Sequence, residues 1–251
     1  MAAMGWVPTT RKSNERVVNL RKYFEVAQLG RLENAELIPA IACRRLSISE
    51  KGDFALIAWA QRAKIEARYI ETTRTNLCEL EKRLPEIRAL TLKEPSSFCE
   101  ELSDLLTNCG IAPVFLPHLS GSFLHGATFY DNGKIVVGLT LRGKDADRFW
   151  FSLFHEIGHI MLGHLTKSTG ADNADEEAAD CFAKDVLIPP DEYNSFLKKS
   201  IFTREAIIDF AASIGIAPGI IVGRLQKEGH VDFNRLNDLK VKYELTSNAD
   251  F

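Results

Sequence analysis

The stretch from Asp145 to Leu165, DADRFWFSLFHEIGHIMLGHL, constrains this chain more than any other. It has few breaks and is long enough for about five helical turns. Phe149, Trp150, Phe151, Leu153, Phe154, Ile157, Ile160, Met161 and Leu162 surround such a helix with apolar side chains. A helix that is apolar on most sides belongs in a core. Against that background Arg148, Ser152, His155, Glu156 and His159 recur at three- and four-residue steps and form a single polar stripe. Burying such groups without partners costs several kcal/mol, on the order of 2–7 per group, so the stripe needs a reason.

A metal ion supplies one. Histidines at i and i+4 lie on the same helix face, where both imidazoles reach one ion about 2.0–2.1 Å from each nitrogen. Glu156, directly after the first histidine, then reaches the open coordination position instead of the ion. H-E-x-x-H is a zinc pattern in which that glutamate is the general base for water held at the open position. His155 and His159 are therefore expected as ligands and Glu156 as the catalytic residue. One zinc ion per chain is expected, with manganese as the alternative.

A catalytic zinc takes three protein ligands. The longer H-E-x-x-H-x-x-G-x-x-H pattern requires Gly at 162 and His at 165, where this chain has Leu162 and Leu165. His164 is one place out of register. The other route is a carboxylate on a following helix. Past a polar loop (Lys167 to Asn173) comes ADEEAADCFAKDVLIPP, with Ala179, Phe182, Ala183, Val186 and Leu187 as its buried face and Pro189-Pro190 as its end. Glu176 and Asp180 are four apart and share a face. Glu176 is expected to ligate, and Asp180 to accept a hydrogen bond from a ligand histidine and so orient it. Glu177 points about 100° away and is the weaker candidate.

The rest of the chain fits around that segment. Leu56, Trp59, Ala60, Ala63, Ala67 and Ile70 mark one helix, and Leu77, Leu80 and Leu84 a second that Pro85 is expected to interrupt. A third starts near Pro95 with Ser96 or Ser97 as N-cap, carries Phe98, Leu102, Leu105, Leu106 and Cys109, and stops at Gly110. Ile111–Leu116, Ala127–Tyr130 and Lys134–Leu141 read as strands, the last two joined by a turn at Asp131-Asn132-Gly133. The expectation is an α+β fold, mostly helical, with a small three-stranded sheet packed on the H-E-x-x-H helix. Residues 1–95 read as an N-terminal helical region, and residues 96–251 as the metal-binding domain with a C-terminal helical hairpin.

HEIGH followed by E-E-A-A-D-C-F-A and L-I-P-P resembles the ImmA/IrrE-type metallopeptidases, which combine H-E-x-x-H, E-x-x-A-[ND]-x-F-A and an apolar-Pro exit. RFWFSLFHEIGH, GATFY and APGIIVGRLQKEG look like the form found behind an XRE-type helix-turn-helix in antitoxin-like and prophage regulators. The likeness is specific over residues 125–190 and looser over 50–245. It implies that His155 and His159 are the histidine ligands, Glu156 the catalytic glutamate and Glu176 the third ligand. It also implies a protein substrate, a helix-turn-helix repressor or antitoxin, or a regulatory role without efficient proteolysis. Asp180 stands where many members carry Asn, and the chain shows no obvious N-terminal helix-turn-helix.

Glu205 to Lys227 mimics a helix-turn-helix, but its second helix is almost wholly apolar (Ile220, Ile221, Val222, Leu225), whereas a reading helix needs polar side chains for base edges. It is read as a core hairpin, which makes direct nucleic-acid binding unfavoured. The net charge of -3 divides into +5 for residues 1–95 (17 basic, 12 acidic) and -8 for the remainder (14 basic, 22 acidic), a spread consistent with solvated surface. Five scattered cysteines without a C-x-x-C pair argue against a disulfide framework, and Cys78, Cys99 and Cys109 are expected to be small buried residues. No apolar run approaches the roughly 20 residues of a membrane span, and the opening residues lack the apolar stretch of a secretory signal, so a cytoplasmic location is expected. An extended substrate would add to the sheet along Ala127–Tyr130 or Ile135–Leu141. No oxyanion donor is identifiable; Tyr130, His125, His164 and His230 offer themselves by chemistry, but each is read first as a structural or surface residue.

Overall fold

The computed structural model describes residues 1–33, 50–120, 124–140, 144–167 and 171–244, with only the backbone at 33 and 50–53. Cys43, Leu141 and part of the loop after Lys167 lie outside the described residues. The elements run α1 (Ser13–Phe24), α2 (Glu50–Ala67), α3 (Leu77–Ala89), α4 (Pro95–Thr107), β1 (Ile111–Leu116), β2 (Gly126–Asp131), β3 (Lys134–Thr140), α5 (Ala146–Met161), α6 (Asn173–Leu187), α7 (Pro190–Lys199), α8 (Arg204–Ile214) and α9 (Pro218–Lys227). The fold is α+β and mostly helical, with one small mixed sheet.

The sheet order is β1-β3-β2, with β1 parallel and β2 antiparallel to the central β3. Asn132 (φ 48°) and Gly133 (φ 81°) both lie in the left-handed region, which is what a two-residue type I′ hairpin requires between β2 and β3. Each sheet face carries its own core, because strand residues alternate sides. Ala112, Val114, Phe129 and Val136 pack with Leu56, Trp59, Ala60 and Ala63 of α2. Ile111, Ile135, Val137 and Leu139 pack with α3 to α9. Helices before residue 96 therefore share cores with the sheet and with α5.

Several local expectations are corrected. Pro85 lies inside α3 and does not interrupt it. Its missing N–H forgoes one helix bond, but Leu80, Leu84 and Ile87 are buried on either side of it, at about 1.5–3 kcal/mol for each fully buried side chain. Helix α4 starts with Pro95 at its first turn and Glu94 as N-cap, so neither Ser96 nor Ser97 caps it. Cys78 and Cys99 are exposed, and only Cys109 of that trio is buried, because the first two fall off the apolar stripes of their helices. The strand Lys134–Thr140 is central and paired on both sides, so no substrate strand can add there. On β2, at the sheet edge, Ala127, Thr128 and Phe129 are buried, with the turn His164–Thr166 beside them, so that edge too is covered.

Helices α8 and α9 follow one another through a short turn. Gly215 (φ 70°) ends α8, the axes bend by 115°, and Ile220, Ile221, Val222 and Leu225 of α9 are buried against α5. A helix with that face in the core has no such face to offer a groove. Among the described residues no single helix is long and apolar enough to cross a membrane.

Candidate metal centre

Two helices build the site. Along α5, Leu153, Phe154, Ile157 and Ile160 are buried and fix its rotation. That rotation turns His155 (6% exposed), Glu156 (2%) and His159 (0%) inward as a unit. Helix α6 is started by Asp172, whose side chain accepts from the Asp175 N–H while the Asp175 carboxylate accepts from the Asp172 N–H. Its Ala179 crosses α5 at Gly158, where an added Cβ would stand 3.1 Å from the Ala179 Cα. The close crossing sets Glu176, one turn earlier, opposite both histidines.

His155 Nε2 and His159 Nε2 are 3.1 Å apart, and the Glu176 oxygens lie 3.3 Å from the first and 3.4 Å from the second. The two nitrogens each meet a different oxygen of Glu176, at spacings close to the roughly 3.3–3.4 Å that separates ligand atoms around a tetrahedral zinc with bonds of 2.0–2.1 Å. Both oxygens of Glu176 are buried and form no hydrogen bond among the described residues. His155, His159 and Glu176 thus form a group that could hold a metal ion. Glu177 is exposed and Glu176 takes the place opposite the rings.

The protons on the rings point the same way. His155 Nδ1 donates to Asp180 Oδ1 at 2.9 Å, leaving its Nε2 with a lone pair. His159 Nδ1 faces His164 Nδ1 at 2.9 Å, and His164 Nε2 lies 3.3 Å from Asp175 Oδ1. Asp175 can only accept, so a neutral His164 carries its proton on Nε2 and takes the His159 proton at Nδ1. His159 Nε2 is then bare as well. In these neutral tautomers two lone pairs and a carboxylate converge, and a cation that displaces the His155 proton satisfies all three.

With no ion bound, His155 and Glu176 titrate as an ion pair, so a cation would have to displace the Nε2 proton of His155. Burial opposes charge on His155, but Asp180 and Glu176 outweigh it and hold the imidazolium up at about 9. Burial would raise Glu176, yet the two rings hold it down at about 2. Burial pushes His164 down, consistent with a neutral ring behind His159.

Asp180 stands where the helix phase predicted it. His164 is structural, as its favoured reading has it, and its place is specific. Helix α5 ends at Met161 and not at Leu165, Gly163 (φ 74°) reverses the chain, and a short turn (His164–Thr166) swings His164 back behind His159. Asp175 anchors it, itself held by Lys167 at 2.6 Å and so kept low in pKa. A glycine one residue before the histidine is the signal in the sequence that could have revealed this. Of the other oxyanion candidates, His125 lines the cavity over Glu156, whereas Tyr130 and His230 do not. Thr128 and Gly126 were not anticipated at all. Thr128 Oγ1 donates to Glu156 Oε2 at 2.5 Å, and a Cβ at Gly126 would meet Glu156 Oε1 at 2.6 Å. No family model matches the chain, and no curated protein matches it.

The two supports make a matched pair of predictions. Asp180→Ala and His164→Ala should each fold and still bind zinc, with affinity lower by about 10–100-fold. Asp180→Asn should be milder, because its amide oxygen still accepts the His155 proton. Competition against a chromogenic chelator measures all three, and an unchanged affinity in either alanine variant contradicts the orienting role.

Proposed function

We propose that this chain is a zinc-dependent metallopeptidase of the ImmA/IrrE type. The observation that carries the proposal is Glu156. It is a buried carboxylate next to His155, outside the set of metal-ligating residues, at the wall of a cavity of about 300 Å³. A regulatory metal site has no need of such a group, whereas hydrolysis needs a base there.

His155, His159 and Glu176 would hold the ion, and zinc so held supplies Lewis acidity to a scissile carbonyl and to water. Glu156 takes the proton of the attacking water and passes it to the leaving amine as the C–N bond breaks. Burial raises the proton affinity of this carboxylate, opposed by the two imidazoles and by Thr128, and so makes it a stronger base. Thr128 fixes Oε2 and the bare Gly126 backbone lets Oε1 sit against β2. Asp180 and His164 keep both ligand rings in the tautomer that turns Nε2 inward. The motif likeness favours a helix-turn-helix repressor or antitoxin as the protein substrate.

The test is metal-dependent cleavage. The zinc-loaded chain is incubated with a proteome-derived peptide library and with repressors encoded beside its gene, and new termini are read by mass spectrometry. Cleavage that a chelator abolishes and zinc restores is the expected result. No cleavage of either, with zinc bound, favours a metal-binding regulator instead. Gly126→Ala gives a finer check. Its methyl would crowd Oε1 and displace the carboxylate, so hydrolysis should fall by about 10²-fold while metal content stays at one equivalent.

A further inference from the structure

The cavity that reaches Glu156 and His155 extends along α5 to a second polar group at Asp147. Asp147 is 5% exposed. Its Oδ2 accepts a hydrogen bond from Lys240 Nζ at 3.0 Å, and its Oδ1 is buried with no hydrogen-bond partner among the described residues. Backbone pairing sets the partner in place: Ala146 N–H donates to Val241 O, and Tyr243 N–H to Lys144 O, which ties the C-terminal segment to the start of α5. On the opposite side α9 presses bare backbone onto the carboxylate, since a Cβ at Gly223 would stand 2.1 Å from Oδ2. The fold thus holds a buried ion pair at the cavity wall and leaves one of its acceptors unsatisfied.

That arrangement has a defined chemical complement. Asp147 Oδ1 asks for an N–H. Lys240 has three N–H groups and gives one to Asp147. The pair is neutral, so a cationic side chain would meet Lys240 and an anionic one Asp147. A primary carboxamide offers an N–H and a C=O side by side and carries no charge. Phe151 and Phe233, the latter 70% exposed, supply apolar walls for the methylenes leading to it.

We propose that this cavity takes the carboxamide side chain of a glutamine or asparagine in the peptide, next to the bond that Glu156 helps to cleave. The proposal rests on the peptidase reading for its substrate class, but the pocket can be tested by binding alone. The probes are N-acetyl-L-glutamine methylamide and its glutamate, lysine and norleucine counterparts, titrated into the full chain and followed by the amide resonances of Gly223 and Phe233.

The glutamine probe should shift those resonances and bind about tenfold or more tightly than the other three, since each of them leaves a buried donor or acceptor unpaired. In Asp147→Asn the amide oxygen keeps the Lys240 bond and the NH₂ replaces Oδ1, so the preference should move to the glutamate probe. If that variant does not fold, Phe233→Ala at the rim should weaken all probes and keep their order. Equal binding of the four, tightest binding of the lysine or norleucine probe, or no shift at either resonance overturns the proposal. Because no turnover is needed, the two readings fail separately. A chain that binds the glutamine probe but hydrolyses nothing loses the peptidase reading and keeps the pocket. A chain that cleaves peptides without glutamine or asparagine beside the cut loses the pocket and keeps the peptidase.

Discussion

Glu156→Gln is expected to retain one equivalent of zinc and to lose peptide hydrolysis by about 10²–10⁴-fold, the usual contribution of a positioned general base. The substitution is nearly isosteric. The Gln carbonyl still accepts the Thr128 hydroxyl, and the side chain still fits against Gly126, so the fold and the metal-ligating trio stay intact. Only the basicity is removed. Elemental analysis and a cleavage assay on the same preparation check both halves. A variant that empties the site, or that cleaves at the parental rate, would mean that Glu156 is a ligand or a bystander.

The second large effect is on metal binding. Glu176→Ala removes the carboxylate whose buried oxygens have no hydrogen-bond partner among the described residues and leaves only two imidazoles. The parent should bind one divalent ion per chain and the variant should bind none detectably by elemental analysis. Thermal unfolding gives an independent measure. At a zinc concentration 1,000-fold above Kd the parent gains about 4.1 kcal/mol, which corresponds to roughly 8–16 °C in midpoint for a chain of this size. Glu176→Ala should show no such shift. His155→Ala and His159→Ala should behave in the same way. If zinc raises the midpoint of Glu176→Ala as far as that of the parent, Glu177 becomes the residue to examine.

What could be read in advance followed helical phase. His155, Glu156 and His159 lie within one turn of each other, and Glu176 and Asp180 within another, so spacing alone fixed which side chains share a face. The strands were legible from β-rich runs and the Asn132-Gly133 turn. What escaped depends on contacts between distant segments. Thr128 and Gly126 lie on β2, 28 and 30 residues before Glu156, and no periodicity joins them to it. The place of His164 behind His159 escaped because a helix continued through Gly163 to Leu165 would carry it away from His159. Asp147, Gly223 and Lys240 meet only because α9 and the chain end pack on the same end of α5. Pro85 misled for the opposite reason, since tertiary burial of α3 overrode a local breaker.

The crossing of α5 and α6 at Gly158 and Ala179 has a consequence for metal exchange. Ligands on two helices locked by backbone-to-backbone packing keep their spacing through contacts that do not involve an ion. In small zinc modules the ion's binding energy is folding energy, and removing the ion unfolds the chain. Here the two cores and the helix crossing do not include the ion, so the ion-free chain is expected to stay folded, with unchanged far-UV circular dichroism after chelation as the check. Loading and stripping of the site would then be reversible events in a standing structure. Any metal the trio takes up would be chosen by ligand geometry and by supply.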